Sequence, residues 1–256
     1  NPVLINYANS QHAMLDVWIP PAGIKIDQIA GWGVDTVAGV DFYTPPPVSV
    51  SAAVDPLRQY RPLFIEDGDG IVPIPSALMM ASSTNVKRYW VDLWSQNKGI
   101  KINREHKDIL EVNSVEEFLS NIITDNDSAL LPKFIEMSRP DPEGYDNAKP
   151  RLRMSLYSPL DIHLYDDAGH HTGPKTITID GNETIIFEEG IPNSYYYQFG
   201  DRKYVGFGGG EHIRIKMSGY ASGSYTLKFE EVKVTETGDE VTVHTTFENL
   251  PTTANT

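Results

Sequence analysis

Four side chains in this 256-residue chain are spaced for proton chemistry: Glu66, Asp67 and Asp69 in "EDGDGIVPIPSA", and His106 in "NREHKDIL". Glycines 68 and 70 separate the carboxylates, and an apolar run punctuated by proline follows at once. Three chemistries fit such a cluster. The first is a calcium loop of the Asp-Gly-Asp-Gly kind, although the bidentate Glu at position 12 is absent counting from Asp67 or Asp69. The second is a solvated turn with no chemistry. The third is an acid that orients a histidine in a nucleophile–His–acid relay, where chain order and loop placement matter more than local sequence. Asp69 precedes a helix-compatible run and the strand-like "VKRYWVDLW"; His106 then follows, ahead of a helix. That is the order acid, helix, strand, His, helix. Glu105 and Asp108 flank the imidazole.

Other candidates carry less. His12 in "NSQHAMLDVW" reads as a helix-surface or lid residue. His170 and His171 in "DDAGHHTG" sit beside Asp166 and Asp167, where a solvated hairpin tip or adventitious metal binding are the two options. Tyr195, Tyr196, Tyr197, Phe199, Tyr204 and Phe207 crowd one stretch. Alternate rings packing into a strand core explain half of them, and stacking on sugars or a partner surface is the competing use.

The elements that must position these groups fall into two sets. Up to about residue 135, strand and helix patterns mix. "GIKIDQIAGWG" alternates into a Gly-x-Gly turn, and residues 86–94 form a second aromatic-rich strand. "SVEEFLSNII" predicts a helix with a Ser114/Glu117 capping box and a stripe of Val115, Phe118, Leu119, Ile122 and Ile123. Alternating strands and helices imply an α/β layer architecture for residues 1–137. Residues 138–152, with three prolines in "SRPDPEGYDNAKP", read as a linker. Residues 153–256 give short alternating strands with turns at Asp167-Ala168-Gly169 and Asp180-Gly181-Asn182, the pattern of an all-β antiparallel sandwich.

Composition narrows the partners. A net charge of −14 repels a phosphate backbone, so no nucleic acid is expected. The absence of cysteine excludes disulfides, Cys-bound zinc and Cys nucleophiles. No apolar run reaches the roughly 18 residues of a transmembrane segment. A start at Asn-Pro-Val suggests a processed or excised piece.

"GDGIVPIPSA" with "EHKDIL" downstream resembles the late part of lipase-like α/β-hydrolases of the lecithin:cholesterol acyltransferase type. "QIAGWGVDTVAGVDFY" is similar to the stretch ahead of the acid in that family. The resemblance covers residues 1 to about 125. It implies Asp69 as the triad acid, His106 as the general base and Asp67 as a neighbour. It also implies an ester or lipid-ester substrate, no metal or organic cofactor, and an extracellular or cell-envelope location. The chain departs from the family in lacking G-x-S-x-G: Ser10, Ser49 and Ser51 are the serines before Asp69, and none has the strand-to-helix setting of a nucleophile elbow. The expectation is therefore a C-terminal portion of a secreted serine ester hydrolase or acyltransferase. An upstream hydrolase segment would carry the Ser, and this chain alone would be inactive. "GSYTLKFEE" resembles the closing strands of accessory sandwich domains on secreted hydrolases. The rival expectation is a non-catalytic extracellular binding or adhesion protein with the sandwich as its module.

Overall fold

A computed structural model describes residues 1–43, 59–126, 129–140, 151–210, 212–234 and 240–254. Antiparallel β-structure dominates, and the chain divides into two compact units, residues 1–93 with 105–140 and residues 94–104 with 141–256.

The first unit opens with helix α1 (Pro2–Leu15), whose first turn is capped by the Asn1 side chain accepting from Val3 N–H at 3.0 Å. Strand β1 (Ile26–Trp32) follows, then β2 (Thr36–Tyr43), β3 (Gln59–Ile65), the single-turn helix α2 (Ile74–Ala77) and β4 (Val86–Asp92). The chain passes into α3 (Leu93–Ile100), a 3-10 helix at His106–Glu111, α4 (Asn113–Ile123) and the short β5 (Ile135–Glu136). Strands β1 and β4 pair in parallel, from Ile26↔Val86 to Trp32↔Asp92, and β5 adds antiparallel to β4. A parallel pair requires a long crossover. Here the crossover contains the antiparallel β2–β3 hairpin and α2.

Helix α4 covers this small sheet with Val115 and Phe118, which join Val34, Tyr89, Val91, Leu93, Val112 and Ile135 in one core. Tyr89 and Phe118 meet edge to face with ring centroids 4.5 Å apart. Three local expectations fail. The helix begins at Asn113 with Val112 in the cap position and no side-chain cap bond, so Ser114 and Glu117 form no capping box. Ser114 instead lies buried in the first turn, beside the inward-facing Val115 and Phe118. Ile123, at the helix end, is 81 % exposed and leaves the apolar stripe. The strand at 86–94 also stops at Asp92, and Leu93 and Trp94 already belong to α3.

The second unit is a pair of antiparallel sheets. Its strands are β6 (Arg151–Tyr157), β7 (Leu160–Tyr165), β8 (His171–Ile179), β9 (Asn182–Glu189), β10 (Ser194–Phe199), β11 (Arg202–Phe207), β12 (Arg214–Gly219), β13 (Gly223–Val234) and β14 (Glu240–Thr252). One sheet has the order β10-β11-β6-β13-β14 and the other β12-β7-β8-β9. Met154, Leu156, Ile162, Leu164, Ile191, Tyr196, Val205 and Leu227 are among the residues of its core. Period-2 alternation does this directly: Leu160, Ile162 and Leu164 point in, and Asp161, His163 and Tyr165 take the other face of β7. At the tip of the β8–β9 hairpin, Asp180 and Gly181 both adopt positive φ, the type I′ geometry that matches strand twist. Residues 94–104 pack within this unit, where Asn193 Nδ2 donates to Trp94 O at 3.2 Å and Asn103 Nδ2 to Ser194 O at 3.0 Å. Residues 141–150, most of the expected linker, lie outside the described residues, and β6 already begins at Arg151.

Candidate active site

Strand β1 ends at Trp32, and the loop carrying the acidic cluster returns beside that end. Val34 and Asp69 form an isolated parallel bridge, and Val34 N–H donates to Gly68 O at 3.1 Å. Thr36 Oγ1 accepts from Gly70 N–H at 2.8 Å while its own hydroxyl donates to Val34 O at 2.8 Å. Two glycines make the approach possible. A Cβ on Gly68 would fall 2.3 Å from Thr36 Oγ1, and a Cβ on Gly31 would fall 2.6 Å from Asp69 Cβ. Gly70 has φ +92°, a conformation L side chains resist.

The Asp69 side chain is only 6 % exposed and every oxygen has work. Oδ1 accepts from Ile71 N–H (3.1 Å) and Val72 N–H (2.7 Å), which fixes the carboxylate plane. Oδ2 lies 2.9 Å from His106 Nδ1. The backbone repeats the link, with His106 N–H donating to Asp69 O at 2.8 Å. His106 opens the 3-10 helix that follows β4 and α3, and its side chain is half exposed. The ionised carboxylate can only accept, so the Nδ1 that faces it carries a proton. Acid and imidazole thus stand beyond the carboxyl ends of two adjacent parallel strands, where functional loops of parallel sheets concentrate.

The neighbouring carboxylates do something else. Arg139 Nε donates to Asp67 Oδ1 at 2.7 Å, and its NH2 group to Glu66 Oε1 at 3.1 Å. Trp32 Nε1–H donates to the same Asp67 oxygen at 2.8 Å. Glu66 and Asp67 are therefore a clamp for one guanidinium, and Arg139, which sequence reasoning did not single out, is its cation. A 73-residue separation hid it. The solvated-turn reading fails because Glu66 and Asp69 are buried. Among the described residues no three His, Asp or Glu side chains converge as metal ligands, there or elsewhere.

The other sequence candidates are dispersed. Ser10 lies exposed within α1 with its hydroxyl donating to Tyr7 O at 2.7 Å, and His12 lies exposed against Asp16 at 3.2 Å. Ser49 and Ser51 lie outside the described residues. His170 Nδ1 is 2.6 Å from Asp166 Oδ2. His171 is no solvated tip residue, since its side chain is largely buried and bonds Glu188 Oε2 through Nδ1 at 2.7 Å. Tyr195, Tyr196, Tyr204 and Phe207 are buried, so strand packing accounts for most of the aromatic cluster. Among the described residues no helix is long and apolar enough to cross a membrane. Comparison of the chain with protein-family models, with curated proteins and with solved structures gave no match.

Proposed function

We propose that the first unit supplies the acid–histidine half of a serine ester hydrolase or acyltransferase, with the nucleophile contributed from outside this chain. The observation that carries the reading is the 2.9 Å contact between Asp69 Oδ2 and His106 Nδ1. The buried acid is already held by two backbone N–H groups, and the imidazole faces outward. In such a relay Nε2 of His106 takes the proton of the attacking serine and returns it to the leaving alkoxide. Asp69 stays ionised, holds the tautomer and stabilises the imidazolium. The resemblance of residues 1 to about 125 to lipase-like hydrolases points to a lipid ester as substrate. Water or an alcohol as acceptor decides between hydrolysis and acyl transfer.

The test is turnover of a p-nitrophenyl ester by the reading frame extended upstream through its first G-x-S-x-G, compared with His106→Ala and Asp69→Asn. Each substitution is expected to lower kcat by about 10³ or more while leaving KM nearly unchanged. Near-normal turnover in either variant overturns the assignment. So does an upstream frame with no elbow.

A further inference from the structure

The solvent-side face of the four-stranded sheet in the second unit carries an ordered chain of its own. Ser218 Oγ lies 3.2 Å from His163 Nε2, His163 Nδ1 lies 3.0 Å from His171 Nε2, and His171 Nδ1 lies 2.7 Å from Glu188 Oε2. With both imidazoles neutral, one assignment of protons satisfies all three contacts in a single direction. Glu188 can only accept, so His171 carries its proton on Nδ1 and presents a lone pair at Nε2. That lone pair needs a donor, so His163 carries its proton on Nδ1 and presents its own lone pair at Nε2 to the Ser218 hydroxyl. The serine therefore donates to a neutral base that is oriented by a second imidazole and anchored by a carboxylate. This is the arrangement that identifies an activated nucleophile by geometry, whatever the chain order.

The sheet builds this chain deliberately. Gly173 has φ +146°, and a Cβ there would fall 2.8 Å from Ile162 O and 3.2 Å from His163 Nδ1. Only glycine leaves the His163 ring room to lie towards β8. Ser218 is on β12, an edge strand of its sheet. Tyr220 N–H donates to Pro159 O at 3.1 Å, in register with the β7–β12 ladder, so alternation turns the Gly219 N–H away from β7, at a residue against which the Thr253 carbonyl packs. Lys216 stands directly across from His163 on the same face as Ser218. Lys216, two residues from Ser218 and on its face, is the cation that register brings nearest to a developing oxyanion.

We infer that Ser218 is a second reactive centre, a nucleophile towards unhindered, activated acyl esters presented at the edge of the sandwich. Ser218 Oγ bonds to the carbonyl carbon as its proton passes to His163 Nε2. The C–O bond to the leaving alkoxide then breaks, the alkoxide takes that proton, and the acyl group remains as a seryl ester for water to hydrolyse. The charged and titratable groups facing His163 are Asp161 and Tyr165 of its own strand, Lys216 of β12, and His171 of β8 with its partner Glu188 on β9, which Lys175 of β8 also holds. Burial first, and then the neighbouring His171, hold His163 below the ordinary histidine range, which keeps the base neutral. The Asp69–His106 reading plays no part here and stands or falls separately.

The experiment is labelling of the full chain with a fluorophosphonate, in which the Oγ–P bond forms and fluoride leaves with the proton, followed by peptide mapping. An adduct on Ser218 is expected, with a rate that falls as pH drops through a midpoint below 6.5, the ordinary histidine value. His163→Gln is expected to slow it by about 100-fold or more and Glu188→Gln by about tenfold, in protein whose circular dichroism is unchanged. If His163→Gln does not fold, the Glu188→Gln rate and the pH midpoint decide. No adduct on Ser218, an adduct confined to another serine, or a rate indifferent to Glu188→Gln and to pH overturns the inference.

Discussion

Asp69 and Asp67 are two residues apart and have opposite duties, because their environments differ. Asp69 is saturated by backbone donors and one imidazole, whereas Asp67 shares its Oδ1 between Trp32 and Arg139. Replacing Asp69 by Asn keeps the shape but can place an amide N–H against Nδ1 of His106, which drives the ring proton to Nε2. Nitrogen-15 spectra of the wild type are expected to show Nδ1–H at His106 and those of Asp69→Asn to show Nε2–H. An unchanged tautomer would mean that the carboxylate does not orient the ring. Arg139→Ala has a different expected outcome. It leaves the buried Glu66 carboxylate without its guanidinium, a loss of about 2 kcal/mol in urea unfolding, with the His106 tautomer untouched. A tautomer change in that variant would tie the clamp to the relay.

At the scale of elements, the parallel β1–β4 pair sets the stage and the glycines of the acid loop let the loop reach it. Gly68→Ala drives a methyl into Thr36, whose hydroxyl anchors Gly70, so about 2–3 kcal/mol of stability should be lost together with order at Asp69. Calorimetric melting of Gly68→Ala beside the wild type checks it; no loss would mean the loop yields freely. Phe118→Ala should cost about 3–4 kcal/mol through the cavity left against Tyr89. The sequence made much of this legible. Strand β1, strand β4, helix α4 and the hairpin turn at Asp180-Gly181 follow from periodicity and turn chemistry, whereas Asp69 and His106 are singled out by chain order and the family resemblance. What it hid has physical causes. The β2–β3 hairpin, paired through Pro62 and with a register shift between Val37 and Gly39, lacks a clean alternation. The capping box at Ser114 lost to the burial of Val115 and Phe118, since tertiary packing outweighs a cap worth about 1 kcal/mol. Arg139 and the Ser218–His163–His171–Glu188 chain are long-range or cross-strand meetings, and no local window contains them.

At the scale of the whole molecule, pH couples to folding through the sandwich face. His163 is held below its ordinary value, so between that lowered value and 6.5 the unfolded chain binds more protons than the folded one. Stability from this group is therefore complete above 6.5 and is lost as pH falls towards the folded value. Glu188 and Asp166 act at lower pH. For both, burial alone would raise the carboxyl; bonds from Lys175 and His171 in one case, and from His170 in the other, outweigh it and hold the carboxyl below its usual range. A depressed carboxyl contributes stability above its unfolded value, lost as pH falls through the folded one. Two separate declines in melting temperature are thus expected on acidification, the first beginning near 6.5 and the second below the ordinary carboxylate range near 4.5. His163→Gln should abolish the first and spare the second. A single decline, or a first decline that survives in His163→Gln, would show that the paired imidazoles do not govern the acid response of this unit.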